Sequence, residues 1–293
     1  MLMKHRQLGK TGLSVSEIGL GTEYFFNQPK QTVVSVIQKA IENGINYFDI
    51  VFNVSQYIAN ISTAINDFKD NVILCCHLGS IEKEGKVQRS RNIEICERTI
   101  LNTLRLLGKD SIDIINIQFV KLKEYAEVIS PEGLLGLAVE LQKEGKVRFI
   151  GMSTHDFEIG LKAIKSGYFD IVMSPINVVN DSMEERNRLL KISEKENKSL
   201  VAIKPFAGGR ILQKNRIVTI AKYQTGGINL KKKIPLYVTP IKCINYVLSQ
   251  PGVSTTVPGV KNLQELKEIL AFIHATEDEK DFTQLLKDFN NHP

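Results

Sequence analysis

Residues 111–153 read SIDIINIQFVKLKEYAEVISPEGLLGLAVELQKEGKVRFIGMS. The run from Ser111 to Gln118 is rich in isoleucine, the composition of a strand covered on both faces. Pro131, a residue suited to a first helical position, opens a helical stretch that closes at Gly145. A second apolar run, Lys146 to Ser153, follows. A strand, a helix and a strand in this order form a βαβ unit, whose strands lie parallel because the helix carries the chain back across the sheet.

The same alternation extends in both directions. Glu17 to Leu20 ends at Gly21-Thr22, and a helix is expected from about Gln31 to Asn43. Ile45 to Asp49 and Asn71 to His77 read as strands two and three, with helices from about Ser55 to Phe68 and from Ile93 to Leu107. Asp170 to Ser174, Leu200 to Pro205 and Ser254 to Val257 supply strands six to eight. Helices from about Asp181 to Asn197, Pro240 to Ser249 and Leu263 to His274 fill the gaps. Eight strands, each followed by a helix over roughly 250 residues, are the arithmetic of a closed (β/α)8 TIM barrel of the α/β class. A doubly wound open sheet is the alternative, but no GxGxxG follows any strand. The first residues, Arg6 to Val15, read as a β-hairpin, so the expectation is one barrel domain over 1–293 with an N-terminal hairpin at about 4–16.

Bulk composition fits this without deciding it. The chain has 293 residues, 43% hydrophobic and 24% charged, with a net charge of +6. Lysines and arginines are dispersed except for Lys231-Lys232-Lys233, read as a solvated loop; no aromatics alternate with it as single-strand nucleic-acid binding would need. Cys75, Cys76, Cys96 and Cys243 fit no zinc spacing, and adjacent Cys75 and Cys76 point to opposite faces of a strand. They read as buried reduced thiols without a metal, in a cytoplasmic protein. No apolar run approaches the ~20 residues of a membrane span, and no signal peptide is evident. The expected partners are therefore a small-molecule substrate or a nucleotide, not nucleic acid or a membrane; oligomeric state is not legible.

In a parallel barrel the chemistry sits where strands end. Here those ends are Gly21-Thr22, Asp49, His77, Gln118, Ser153-Thr154-His155, Asn177, Lys204-Pro205 and Pro258-Gly259. Asp49 and His77 fall on neighbouring strands, so the carboxylate can orient the imidazole and the pair can act as acid or base.

Several of these segments resemble the aldo/keto reductases: LGKTGLSVSEIGLGT (8–22), NYFD (46–49), GKDSIDIINIQ (108–118), EGKVRFIGMSTHD (144–156), KPFAGGRIL (204–212) and LSQPGVSTTVPGVKNLQEL (248–266). The likeness runs from about Arg6 to Leu270. It implies an NADP(H)-dependent carbonyl reductase with a tetrad of Asp, Tyr, Lys and His, the tyrosine acting as proton donor. Placed on that pattern, Asp49 stands at the Asp, Val54 at the Tyr, His77 at the Lys and Gln118 at the His. Valine donates no proton, and a lost general acid costs about 10²–10⁴ in rate. Tyr57, three residues on, is expected to lie in its helix facing away.

The resemblance also implies a cofactor pattern. Ser153 is kept at the nicotinamide end, Thr154 replaces an Asn, Met173 a Gln and Ile176 an aromatic residue. The phosphate end is better kept: Phe206, Ala207 and Gly208 in the loop over the pyrophosphate, Gly259 and Lys261 in the turn toward the 2′-phosphate, and Glu268 toward the adenine. His155 and Lys204 read as structural. Three functions follow: an NADP(H)-linked reductase with an altered proton donor, a non-redox acid–base enzyme (lyase, dehydratase or isomerase) using Asp49 and His77, and an inactive nucleotide-binding or partner-assisting protein.

Overall fold

A computed structural model describes residues 2–213, 217–220, 230–233 and 237–290. Eight strands form one sheet: β1 (Leu20–Gly21), β2 (Tyr47–Ile50), β3 (Ile73–Leu78), β4 (Ile112–Ile117), β5 (Val147–Ser153), β6 (Ile171–Pro175), β7 (Ser199–Ile203) and β8 (Val253–Val257). They are ordered sequentially, and every neighbouring pair is parallel. The ring closes through parallel bridges from Ile18 to Thr256 and from Gly21 to Gly259, with Gly19 N donating to Thr256 O at 2.8 Å. This is the (β/α)8 barrel expected from the strand count.

The helices between strands are α1 (Lys30–Glu42), α2 (Ser55–Ile65), α3 (Ile93–Leu107), α4 (Leu134–Lys143), α5 (Phe157–Ser166), α6 (Glu184–Lys195), α7 (Pro240–Leu248) and α8 (Leu263–Leu270). Alternation of side chains sets two cores. Phe48, Leu74, Cys76 and Ile115 pack outward against the helices. Tyr47, Cys75, Ile114, Ile171, Met173 and Val201 fill the barrel interior. The hairpin, His5–Gln7 paired with Ser14–Ser16, brings Leu8, Leu13 and Val15 into this inner cluster and plugs the N-terminal end. The mouth at the other end is where the polar strand-end residues Asp49, His77, Gln118 and Ser153 collect.

Local chemistry fixes the ends of these helices. Asn92 Oδ1 accepts from Ile95 N at 2.9 Å and starts α3, which Gly108 ends at φ 61°. Asp156 Oδ1 accepts from Glu158 N and Ile159 N and starts α5 just beyond β5. Each such cap contributes about 1 kcal/mol.

Three expectations about the elements need correction, and one hairpin was not foreseen. The helix expected from Pro131 begins at Leu134, because Ser130 to Gly133 make a turn with Gly133 N bonded to Ser130 O. Strand seven stops at Ile203 rather than Pro205, because Lys204 takes φ 54°, a left-handed conformation that no strand continues. Lys231-Lys232-Lys233 is not loop: Leu230–Lys233 pairs antiparallel with Ile217–Ile220. The unforeseen hairpin, Ser80–Lys83 with Lys86–Arg89, follows β3. The segment 222–238, for which the sequence leaves open an ordered lid or disorder, lies largely outside the described residues. Among the described residues no helix is long and apolar enough to cross a membrane.

Candidate functional site

The strand ends surround a cavity of about 730 Å³ at the barrel mouth. Asp49, His77 and Gln118 line its floor, with Ser153 and Met173 beside them. Phe206, Gly208, Gly259, Lys261 and Glu268 line its far side. Of the expected site residues, Thr154 and Ala207 are absent from the wall. Thr154 is buried and spends its hydroxyl on the chain: Oγ1 donates to Val120 O at 3.0 Å and accepts from Asp156 N at 3.1 Å. Ala207 shapes the loop instead, at φ 49° with its N–H bonded to Lys204 O. Positive φ at both Lys204 and Ala207 stores backbone strain beside the cavity, where function commonly concentrates it.

Asp49 and His77 are joined. His77 Nε2 lies 2.7 Å from Asp49 Oδ1, with both side chains buried. The strand that carries the ring is held in place by Asn53, whose Nδ2 donates to His77 O at 2.7 Å and to Ser80 O at 2.8 Å. His77 Nδ1 is buried and makes no hydrogen bond to the protein. In the neutral ring Nε2–H donates to the carboxylate, which leaves Nδ1 as a bare acceptor. Gln118 is less available, since its Nε2 donates to Val51 O at 3.1 Å.

The hydroxyl of Tyr57 does not reach this floor. Tyr57 is buried at the start of α2, and its side chain turns inward to Thr22 rather than away as expected. Val54, the cap residue of α2, packs in the outer core. Neither residue lines the cavity.

Three of the wall residues that sequence reasoning missed carry polar groups into the site. Glu23, in the short helical turn after β1, has its carboxyl pushed up by burial and by Asp49, against the opposing pull of Lys204. Tyr24 lies under the ammonium of Lys261 at 5.3 Å, and a Cβ on Gly259 would meet the Tyr24 ring at 2.8 Å. Glycine at 259 is therefore what lets Tyr24 pack under the turn. Arg89, from the unforeseen hairpin, reaches Phe119 O at 3.2 Å. Glu23 was findable from the rule that found Asp49, because it directly follows a strand end. His155 also lines the cavity, edge-on to Phe119 at 4.7 Å, and burial pulls its pKa down to about 4.

The anion turn before α8 is partly self-satisfied. Lys261 N donates to Glu265 Oε2 at 2.8 Å, and Glu265 N to Asn262 Oδ1 at 2.9 Å. An incoming phosphate would meet the Lys261 ammonium rather than those N–H groups.

Fold and site together describe a parallel barrel with a cavity at its mouth lined by polar, charged and apolar side chains. Residues 17–287 match the model of the aldo/keto reductase family, and the chain belongs to that family. It is 23% identical over 297 residues to an uncharacterized oxidoreductase, YqkF, of Bacillus subtilis, covering 94% of each chain. It is 25% identical over 210 residues to the NADH-specific methylglyoxal reductase of Escherichia coli, covering 65% of this chain and 63% of that one. The holo form of aldo-keto reductase AKR11C1 from Bacillus halodurans has the same fold, with a TM-score of 0.77 at 20% identity over 97% of this chain and 96% of that one.

Proposed function

We propose that this protein binds NADP(H) across the barrel mouth and runs its chemistry from the Asp49–His77 pair instead of a tyrosine. The observation that carries the reading is that one cavity joins Asp49 and His77 to Gly208, Gly259 and Lys261. The residues at the phosphate end fit the group. Gly208 and Gly209 adopt φ of 69° and 80° with open space where a Cβ would stand, and Lys261 brings a cation to the wall.

When bound, the dinucleotide supplies hydride transfer. The chain's own residues do the rest. Asp49 orients the His77 ring and balances its charge when protonated, so His77 is the group placed to give or take a proton at the floor of the cavity. The resemblance puts Val54 where a tyrosine would stand, and Val54 is off the wall, so no phenol occupies that position; Tyr24, the phenol that does line the cavity, packs under Lys261. At the nicotinamide end Met173 is on the wall and Ile176 is fully buried, which favours, as a second reading, acid–base chemistry without hydride transfer on a different phosphorylated ligand.

Calorimetric titration with NADPH and NADP⁺ separates the two. Binding near micromolar, about −8 kcal/mol, supports the first reading. Absence of binding up to millimolar removes it and leaves the second.

A further inference from the structure

One side chain at the Asp49–His77 pair has no part in the reading above. Cys75 precedes His77 by two residues on β3, so both face the barrel interior, and Cys75 stands directly opposite Asp49 in the strand register. The donor atoms of Asp49, Cys75 and His77 all lie within 4.8 Å of one another, and all three residues are buried. Among the described residues this is the one group of three such donors gathered that closely.

The separations suit a shared ion. Ligands at about 2.0–2.3 Å from a tetrahedral metal sit roughly 3.3–3.8 Å apart, inside that limit. The shorter Asp49–His77 contact of 2.7 Å is a hydrogen bond; in the other neutral tautomer the proton sits on Nδ1, and Nε2 and the carboxylate are then both free to open around an ion. The surroundings point the same way. Asn116 Nδ2 lies 3.0 Å from Cys75 Sγ, a donor better matched to a thiolate than to a thiol, which is a weak acceptor. His77 Nδ1 and Asn116 Oδ1 are buried without hydrogen-bond partners. A thiolate and a carboxylate with a neutral imidazole carry two negative charges, which one divalent ion cancels.

We propose that Asp49, Cys75 and His77 form a mononuclear site for a divalent metal of borderline softness, Zn²⁺ first among them. Sulfur, nitrogen and oxygen donors together select that class over Mg²⁺ or Ca²⁺. Asp49 and His77 line the cavity and Cys75 lies beneath it, so the fourth position opens to the mouth. Three protein ligands with one open position are the arrangement of a catalytic metal, which can polarise a carbonyl or activate a water. In the metal-loaded form the bound water, not the imidazole, holds the exchangeable proton. The site shares His77 with the nucleotide reading but does not require the nucleotide.

The test uses full-length protein, stripped by chelator, kept reduced and titrated with Co²⁺ in the absence of nucleotide. The expected result is one Co²⁺ per chain, with a near-ultraviolet thiolate-to-cobalt charge-transfer band and the visible bands of a tetrahedral ion. Cys75→Ser, which changes little volume, should abolish the charge-transfer band and weaken binding at least tenfold. Cys76→Ser, on the outward face, should keep both. Zn²⁺ should raise the melting temperature of wild type and leave that of Cys75→Ser unchanged. His77→Gln supplies a second reading of the same spectrum, with the visible bands lost or shifted. No Co²⁺ bound by wild type at millimolar concentration, or a charge-transfer band that survives Cys75→Ser, would overturn the proposal. Either result leaves the nucleotide titration standing on its own outcome.

Discussion

The Tyr57 hydroxyl is hydrogen-bonded to Thr22 Oγ1, which in turn donates to Asp49 O at 2.7 Å. This relay ties α2 to the ends of β1 and β2 and consumes the phenol. Burial further raises its pKa, so it is a poor proton donor at neutral pH. Tyr57→Phe should therefore cost about 1 kcal/mol of unfolding free energy, the worth of one hydrogen bond, in a denaturant titration. Nucleotide affinity should stay within about twofold, well under the 1.4 kcal/mol of a tenfold change. A hundredfold loss of turnover in this variant, with stability intact, would mean that the phenol is the proton donor after all.

Gly151 and Asn116 are a matched pair inside the barrel. A Cβ on Gly151 would sit within the van der Waals shell of Asn116 Oδ1 and 3.2 Å from Ile171 O. Gly151→Ala should destabilise by about 1–3 kcal/mol, as overpacking does. Adding Asn116→Ala should recover part of that loss, because the second change empties the space that the first one needs. The double-mutant cycle should show a coupling of at least about 0.5 kcal/mol. Additive effects would mean that the backbone of β5 relaxes and the pair is not in contact.

The parts of the fold legible in the sequence are those governed by local periodicity. The β4–α4–β5 unit is visible because an isoleucine run, a proline and Gly145 punctuate it, and the ends of β2 and β3 are visible because apolar runs stop at Asp49 and His77. What the sequence hides is set by register and by backbone dihedrals. Asp49 and Cys75 are far apart in sequence and meet only because β2 and β3 pair with them opposite each other. The hairpin after β3 turns on Glu84 and Gly85 at φ 53° and 70°, a short polar signal with no apolar periodicity to announce it. The inward turn of Tyr57 depends on its distance from Thr22, a fact about the assembled barrel and not about α2.

His155 gives the protein an acid-side liability. Burial lowers its pKa from 6.5 to about 4, with a smaller contribution from Lys204. Between those values the unfolded chain binds more protons than the folded one, so stability falls as pH drops. The contribution is fully present above pH 6.5 and is lost progressively toward pH 4. The loss should be on the order of 1–3 kcal/mol, the lower part of that range if solvent screens the half-buried ring. Chemical denaturation at pH 7 and pH 4.5 should show it, and His155→Phe should flatten the difference while keeping the edge-on contact with Phe119. An unchanged pH slope in His155→Phe would assign the acid sensitivity to other groups.

Lys261 should distinguish the phosphorylated dinucleotide from its unphosphorylated counterpart. Its ammonium rests over Tyr24, and its own N–H is taken by Glu265, so the side chain is what it offers to an anion. A charged contact to a phosphate is a strong hydrogen bond, and its removal leaves the ligand charge uncompensated. Lys261→Ala should weaken NADPH binding by about tenfold or more while changing NADH binding by less than about threefold, since NADH lacks the extra phosphate. The difference should shrink as salt is raised, because an exposed charge pair is screened over a Debye length of about 8 Å at 0.15 M. Equal loss for both nucleotides would place Lys261 at the shared pyrophosphate. No loss for either would mean that the turn before α8 is not where the dinucleotide is held.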